Sequence, residues 1–366
     1  MEKGITVLSL FDGMCCGRLA LEKAGIPVKR YYASEIKKVA IQNTKRNYPD
    51  VIQLGNVEDI HYKDGWLYYK NPVDGEKQKR YIGKIDLLIG GSPCQDFSSV
   101  SYMTHEEEYG LKGSKSKLFY EYLRIKEEVN PKYFLLENVR MKKSSEEELN
   151  NYLGVQGINI NSNLVSIQNR YRIYWTNIPN VEQPEDCHLS FQDYKTRTLP
   201  KYERELQQKK LSGDNTALEV EPEDVPVICK MNEKLRETEE QAGVACSDKE
   251  FVDFVHELLR DAIANKSKSW IKAWNNGKGR SKEFSCKNIT NETKINCLLR
   301  SQYGFPNSGL VEFGDFCRMI TKSEIAFAQN VPYDFVRELS FNQTQDLCGD
   351  GWTIDMISYI LGKMVY

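Results

Sequence analysis

Five short apolar runs shape the first 140 residues, and each ends on a residue type that does chemistry. Residues 5–10 lead into Phe11-Asp12-Gly13, and 28–34 end on Glu35. Residues 51–54 end on Gly55-Asn56-Val57, 85–89 run into Gly90-Gly91-Ser92-Pro93-Cys94, and 133–136 stop at Glu137-Asn138. Helical segments at 17–25, 36–47 and 116–129 lie between them, closed by Gly25 and Pro27, by Pro49, and by Asn130-Pro131. Buried strands joined by helices are crossovers between parallel strands. The expected fold is therefore α/β, with a doubly wound, mostly parallel, Rossmann-like sheet. Such sheets bind ligands at the carboxyl ends of their strands, where these glycines, acids and the thiol fall.

At roughly 100–200 residues per domain, a chain of 366 residues suggests two domains. Two segments break the first alternation. Residues 61–83 are rich in aromatics and carry an Asp-Gly turn signal, which reads as a hairpin. Residues 95–115 form a polar loop of a length that is more often functional than idle. After Pro179 the α/β alternation stops, and it gives way to helical order again only in the last fifty residues. The expected division is a domain of 1–179 plus 313–366, with a smaller domain inserted at 180–312.

The formal net charge of −2 speaks at first against a nucleic-acid partner. Its distribution matters more than its sum. Residues 219–263 hold 13 acidic and 5 basic side chains, whereas 266–300 hold 9 basic and 2 acidic ones. The second stretch, with Lys278, Arg280 and Lys282 near Trp270 and Trp274, suits phosphates and base edges. A solvated face is the plainer alternative. The sequence holds no apolar run of about 18 residues, so no membrane span is expected. The N-terminus shows no cleavable apolar region, and a cytoplasmic location follows as the expectation. Ten scattered cysteines without a C-x-x-C pair, and only four histidines, point to reduced thiols and no bound metal.

Phe11-Asp12-Gly13-Met14-Cys15-Cys16-Gly17 opens the first helix. Glycine permits a tight turn, and a helix N-terminus offers N–H donors to an anion. Neither the dinucleotide fingerprint nor a P-loop lysine is present. A carboxylate such as Glu35 after the second strand can accept both hydroxyls of a ribose. Together with Gly55-Asn56-Val57, these residues describe an adenosine site, and S-adenosylmethionine fits better than a triphosphate. Taken singly, each is equally an ordinary turn or a solvated acid. Cys94, beside Pro93 at a strand end, is a candidate thiolate nucleophile rather than a core thiol. Glu137 is a candidate proton donor, its pKa raised by burial. Arg170 and Arg172 alternate along Gln168-Asn169-Arg170-Tyr171-Arg172, which places both on one face of a strand, facing a phosphate or a base oxygen.

In order and spacing this set resembles the cytosine-C5 DNA methyltransferase family through most of the chain. Phe11 to Gly17 resembles its cofactor motif, and Cys94, Glu137-Asn138-Val139 and Gln168 to Arg172 resemble its catalytic motifs. Arg318 through Glu324, Gln329 and Pro332 resembles the ninth block, and Gly349-Asp350-Gly351-Trp352 the last. The resemblance implies cofactor contacts at Phe11, Asp12, Gly13, Met14, Cys15, Cys16, Glu35, Ile36, Asn56, Val57, Pro93, Asp350, Gly351 and Trp352. It implies DNA contacts at Gln95, Ser98, Ser99, Lys278, Arg280 and Lys282, with target recognition in 180–312. Cys15, Asn56 and Asp350 depart from the commoner Gly, Asp and Asn.

The implied reaction is transfer of a methyl group from S-adenosyl-L-methionine to C5 of a cytosine flipped out of duplex DNA. Cys94 would attack C6, Glu137 would assist at N3, and Arg172 with Arg170 would hold O2. The implied enzyme is a monomer of prokaryotic or phage type, with a cognate restriction endonuclease as a candidate partner. A tRNA cytosine-C5 methyltransferase of the same fold and a non-catalytic DNA-binding regulator are the competing readings.

Overall fold

A computed structural model describes residues 4–92, 117–244, 246–263, 286–301 and 306–365. Packing divides the chain into two compact units. The first contains 1–162, 171–185 and 354–366, and the second 163–170 and 186–353.

The first unit is built on a seven-stranded sheet. In chain order its elements are β1 (Ile5–Leu10), α1 (Cys16–Lys23), β2 (Val28–Ser34), α2 (Lys38–Asn47) and β3 (Ile52–Gln53). A separate three-stranded meander follows, β4 (His61–Lys63), β5 (Trp66–Lys70) and β6 (Lys77–Tyr81). Next come β7 (Leu87–Gly90), α3 (Lys117–Val129), β8 (Tyr133–Val139), α4 (Lys143–Leu153), β9 (Ile158–Asn161) and β10 (Tyr171–Thr176). Strand order is β3-β2-β1-β7-β8-β10-β9. The first five run parallel, and β10 runs antiparallel to both neighbours. The expected α/β, mostly parallel sheet is therefore what the chain forms.

The central strands are buried along nearly their whole length, which explains their unbroken apolar sequence. Helix α3 buries Phe119, Tyr122, Ile125 and Val129, one stripe at helical spacing. Gly17 lets α1 lie close on the sheet: a Cβ there would stand 2.2 Å from Ile89 Cδ1. Two boundaries differ from the sequence reading. β8 continues through Glu137, Asn138 and Val139, because β10 pairs with all three. β10 begins at Tyr171, so Arg170 lies outside the strand.

The described part of the second unit is mainly helical. It holds α5 (Phe191–Tyr194), α6 (Pro200–Ser212), α7 (Val225–Met231), α8 (Glu233–Gln241) and α9 (Asp248–Ala262). The hairpin β11 (Val311–Phe313) and β12 (Phe316–Arg318) follows, then α10 (Lys322–Ala328), α11 (Tyr333–Val336) and α12 (Phe341–Asp350). The chain then re-enters the first unit as α13 (Ile354–Leu361), which packs on α1 and joins it through Lys23 and Asp355 at 2.5 Å. Packing thus groups 313–353 with 186–301, whereas composition drew the boundary at 312. No described helix is long and apolar enough to cross a membrane.

The second unit is organised around a fully buried ion pair. Arg318 and Glu324 face each other with two 2.8 Å bonds, at 1% and 0% side-chain exposure. Glu324 also accepts from the backbone N–H groups of Thr321 and Thr196, each at 2.7 Å, and caps α10. Arg318 donates to the carbonyls of Met319 and Thr196. Removing one partner leaves the other charge buried and uncompensated. Glu324→Ala is expected to cost about 3–5 kcal/mol of stability in urea unfolding. Lys143→Ala, which breaks the exposed pair with Glu147, is expected to stay within about 0.5 kcal/mol of the parent.

Candidate active site

The turn after β1 is held by three successive left-handed residues in alternation: Phe11 at φ 57°, Gly13 at 59° and Cys15 at 67°. Phe11 and Cys15 adopt this region despite carrying a Cβ, which makes the turn a strained, over-determined element. Several bonds fix it. The Asp12 N–H donates to Ser34 O at 3.0 Å and the Cys15 N–H to Asp12 O at 3.1 Å. Glu35 Oε2 accepts from the Gly13 N–H at 2.7 Å, while its Oε1 accepts from the Ile36 and Lys37 N–H groups at 2.8 Å each. One carboxylate therefore ties the end of β1 to the end of β2.

This arrangement sorts the expected cofactor residues. Met14, Cys15 and Cys16 are buried, and the Cys15 thiol is hydrogen-bonded to Asp12 within the turn. Asp12 is also buried, and its Oδ1 accepts from Tyr31 Oη–H at 2.8 Å. Glu35 and Ile36 sit differently. Ile36 is 70% exposed and offers an apolar surface directly beside the carboxylate. Ser34 Oγ–H donates to Gly55 O at 2.8 Å, which holds the next turn in place. Asn56 Oδ1 there accepts from the Glu58 N–H and caps a short helix, and Val57 is buried. A carboxylate with one of about four acceptor sites still open, an exposed apolar side chain and an open glycine turn fit a ribose hydroxyl, the base and the tail of an adenosine-type ligand. Ser34 and Tyr31 were not legible as site residues, since either could have been an ordinary strand position.

At the ends of β7, β8 and β10 a second group converges. Glu137 Oε1 and Arg172 Nε lie 2.7 Å apart, each with 11% of its side chain exposed. Glu137 stands opposite Tyr174 and Arg172 opposite Val139, so the pair is a cross-strand diagonal on one face. Glu137 is thus an ion-paired carboxylate rather than the isolated buried acid that its sequence context suggests. Asn138 Nδ2 donates to Ser92 Oγ at 3.1 Å, and its Oδ1 accepts from the Val139 N–H at 2.8 Å. That clamp ties Ser92, just past the end of β7, to β8. Pro93, Cys94, Gln95, Ser98, Ser99, Lys278, Arg280 and Lys282 lie outside the described residues.

Arg170 corrects the expectation of two arginines on one strand face. It precedes β10 and belongs to the second unit, where it is almost fully buried. Its guanidinium donates to Leu298 O at 2.9 Å, Gly349 O at 3.1 Å and Gly351 O at 2.8 Å. Buried carbonyls need donors, and Arg170 meets that need for the segment bearing Asp350, Gly351 and Trp352. Gln329 Nε2–H also donates to Gly351 O, at 3.3 Å.

The profile of the family described as C-5 cytosine-specific DNA methylase matches residues 5–366. An orphan methyltransferase of Bacillus phage rho11s is 30% identical over 138 residues, 37% of this chain and 23% of its own. DNA (cytosine-5)-methyltransferase DRM2 of Arabidopsis thaliana is 36% identical over 126 residues, 34% of this chain and 19% of its own. The matched region thus spans about a fifth of the length of these curated relatives. The crystal structure of a Spodoptera frugiperda DNMT2 mutant shares the fold, with a TM-score of 0.56 at 14% identity, over 98% of this chain and 99% of that one.

The buried turn makes a pH prediction. Burial lifts the Asp12 carboxyl from 3.8 to about 6, and the charge on Glu35 adds to the rise. The folded chain therefore binds more protons than the unfolded chain between pH 4 and 6. Stability contributed by Asp12 is lost as pH rises through that window, by about 3 kcal/mol in full. Asp12→Asn keeps an acceptor for Tyr31 without the charge. It is expected to exceed the parent in stability at pH 7.5 and to lose that advantage by pH 4, read from urea midpoints at both values.

Proposed function

The chain belongs to the C-5 cytosine-specific DNA methylase family, and from that premise we propose that it methylates C5 of cytosine in duplex DNA. The observation that carries this reading is the Glu137–Arg172 pair set beside the Asn138–Ser92 clamp, at the same strand ends as the Glu35 turn. Glu35 and Ile36 are proposed to hold the adenosine of S-adenosyl-L-methionine, with Phe11, Gly13, Asn56 and Pro93 around it. Asp350, Gly351 and Trp352 are carried as further proposed cofactor contacts. The cofactor, when bound, supplies an electrophilic methyl group.

Carbon 5 of cytosine is a weak nucleophile until carbon 6 is attacked. In the proposed sequence the Cys94 thiolate forms a bond to C6, and the displaced electron pair makes C5 enamine-like. Glu137, protonated as the base docks, gives that proton to N3 as Cys94 adds to C6 and takes it back when Cys94 leaves. Arg172 orients Glu137 and meets O2. Once C5 carries the methyl group, its proton passes to a water acting as base, the C5–H electrons re-form the C5=C6 bond, and Cys94 leaves as the thiolate. Arg170 is now assigned a positioning role through Gly349 and Gly351 rather than a contact with the base. A stacked base is out of reach, so the target cytosine must flip out, with residues 95–115 as the proposed lid and Gln95, Ser98 and Ser99 as contacts.

Target recognition is proposed for 180–312, with Lys278, Arg280 and Lys282 on phosphates. The protein is proposed to act inside the cell, as a monomer, in restriction-modification or in phage protection from restriction.

Labelled S-adenosylmethionine with duplex DNA or tRNA tests the reading. The parent chain is expected to label DNA at C5 of cytosine, and Cys94→Ser to show none. Labelling of tRNA alone would reject the DNA substrate, and equal activity in Cys94→Ser would reject the covalent route. Glu137→Gln retains a hydrogen-bond donor but transfers no proton, and is expected to lower kcat by about 10²–10⁴-fold. Single-turnover rates on the same duplex measure that loss.

A further inference from the structure

The meander β4–β6 has two unlike faces. Its inner face puts Leu67, fully buried, into the core of the first unit, with Tyr62 and Tyr69 packed around it. Period-two alternation turns the neighbouring residues outward. The register pairs Lys63 with Trp66, Trp66 with Tyr81, and Tyr68 with Lys79, and places Lys70 opposite Lys77. Trp66, Tyr68 and Tyr81 are 37%, 40% and 60% exposed. No Asp or Glu occurs in the three strands, which together hold four lysines and one arginine. Lys70 is neutralised by Asp59 at 2.5 Å, leaving Lys63, Lys77 and Lys79 as the cations of this face.

Lysines on short edge strands have a simple use, since they block edge-to-edge pairing. That accounts for Lys63, Lys77 and Lys79 but not for the aromatics. Three large rings exposed on one sheet face lose nothing by being polar unless something stacks on them. Trp66 and Tyr81 form an edge-to-face pair at 5.4 Å, and Lys79 Nζ stands 5.2 Å from the Trp66 ring. The rings are thereby pre-oriented, which lowers the entropic cost of binding. Aromatic platforms flanked by cations take unpaired bases and their phosphates. A duplex exposes base faces only at its ends, so its phosphates would engage the lysines and leave the rings unused. An acidic peptide would likewise leave them unused.

We propose that the outer face of β4–β6 is a binding surface for single-stranded nucleic acid, distinct from the groups at the strand ends. Strands of five residues span about 16 Å, enough for two or three nucleotides and hence for weak binding. The proposal does not depend on methyl transfer and can hold or fail whatever the fate of that reading.

The test uses the full chain and a dT12 oligonucleotide carrying 4-thiothymidine. Photo-crosslinking followed by peptide mapping is expected to place adducts within 61–83. In anisotropy titrations Trp66→Ala/Tyr68→Ala/Tyr81→Ala is expected to weaken dT12 binding at least tenfold, with the binding of blunt duplex changed less than twofold. Lys77→Glu/Lys79→Glu should also weaken dT12 binding, with a smaller salt dependence than the parent. Circular dichroism of each variant checks that it remains folded. Adducts only outside 61–83 would overturn the proposal. Charge reversal that abolishes binding while the aromatic variant binds as the parent does would overturn it too, by showing a purely electrostatic surface.

Discussion

One antiparallel strand makes the chemistry of the sheet edge available. Parallel strands all deliver their carboxyl ends to the same edge, so acids and a glycine turn can gather there from distant parts of the sequence. Their amino ends are carried away to the opposite edge. β10 reverses this, and its first residues arrive where β8 finishes. Arg172 at the start of one strand can then reach Glu137 near the end of the other, at 2.7 Å. With β10 parallel, the two would sit at opposite edges of the sheet and Glu137 would need another cation.

The turn after β1 shows a related economy. Glu35 accepts three backbone N–H groups from two separate turns. A ligand that hydrogen-bonds to the same carboxylate meets a group already fixed in place, and little side-chain freedom remains to be lost. The strain at Phe11 and Cys15 is held by these bonds and by the buried side chains of Met14, Cys15 and Cys16. Asp12 is part of this support, with Tyr31 as its donor.

Much of the first unit was legible because its strands are buried on both faces. β1 and β2 have the boundaries that their apolar runs suggest, and the Asp64-Gly65 signal does mark a left-handed turn in the meander. Where the reading stopped short, a partner strand was the missing fact. Glu137 and Asn138 look like the end of a strand until β10 supplies their ladder. Arg170 and Arg172 look like neighbours on one face until the strand is seen to begin between them. The buried carbonyls that hold Arg170 come from residues about 130 and 180 positions away, a separation that periodicity cannot sense. The helices of the second unit were hidden for another reason: α6 is polar on most of its surface, and prolines open both α6 and α7.

The second unit also has a bearing on how such chains can be recombined. Its main stretch, 186–353, enters and leaves once, and invites transfer between relatives as a single cassette. Residues 163–170 belong to it as well, although they sit between two strands of the sheet. Within them Gln168 accepts from the Leu298 N–H at 3.1 Å, and Arg170 holds the carbonyls of Leu298, Gly349 and Gly351. A graft of 186–353 alone would bring carbonyls whose donor, Arg170, stays behind in the source chain. A chimaera that keeps its second unit intact needs both segments, 163–170 and 186–353, to travel together.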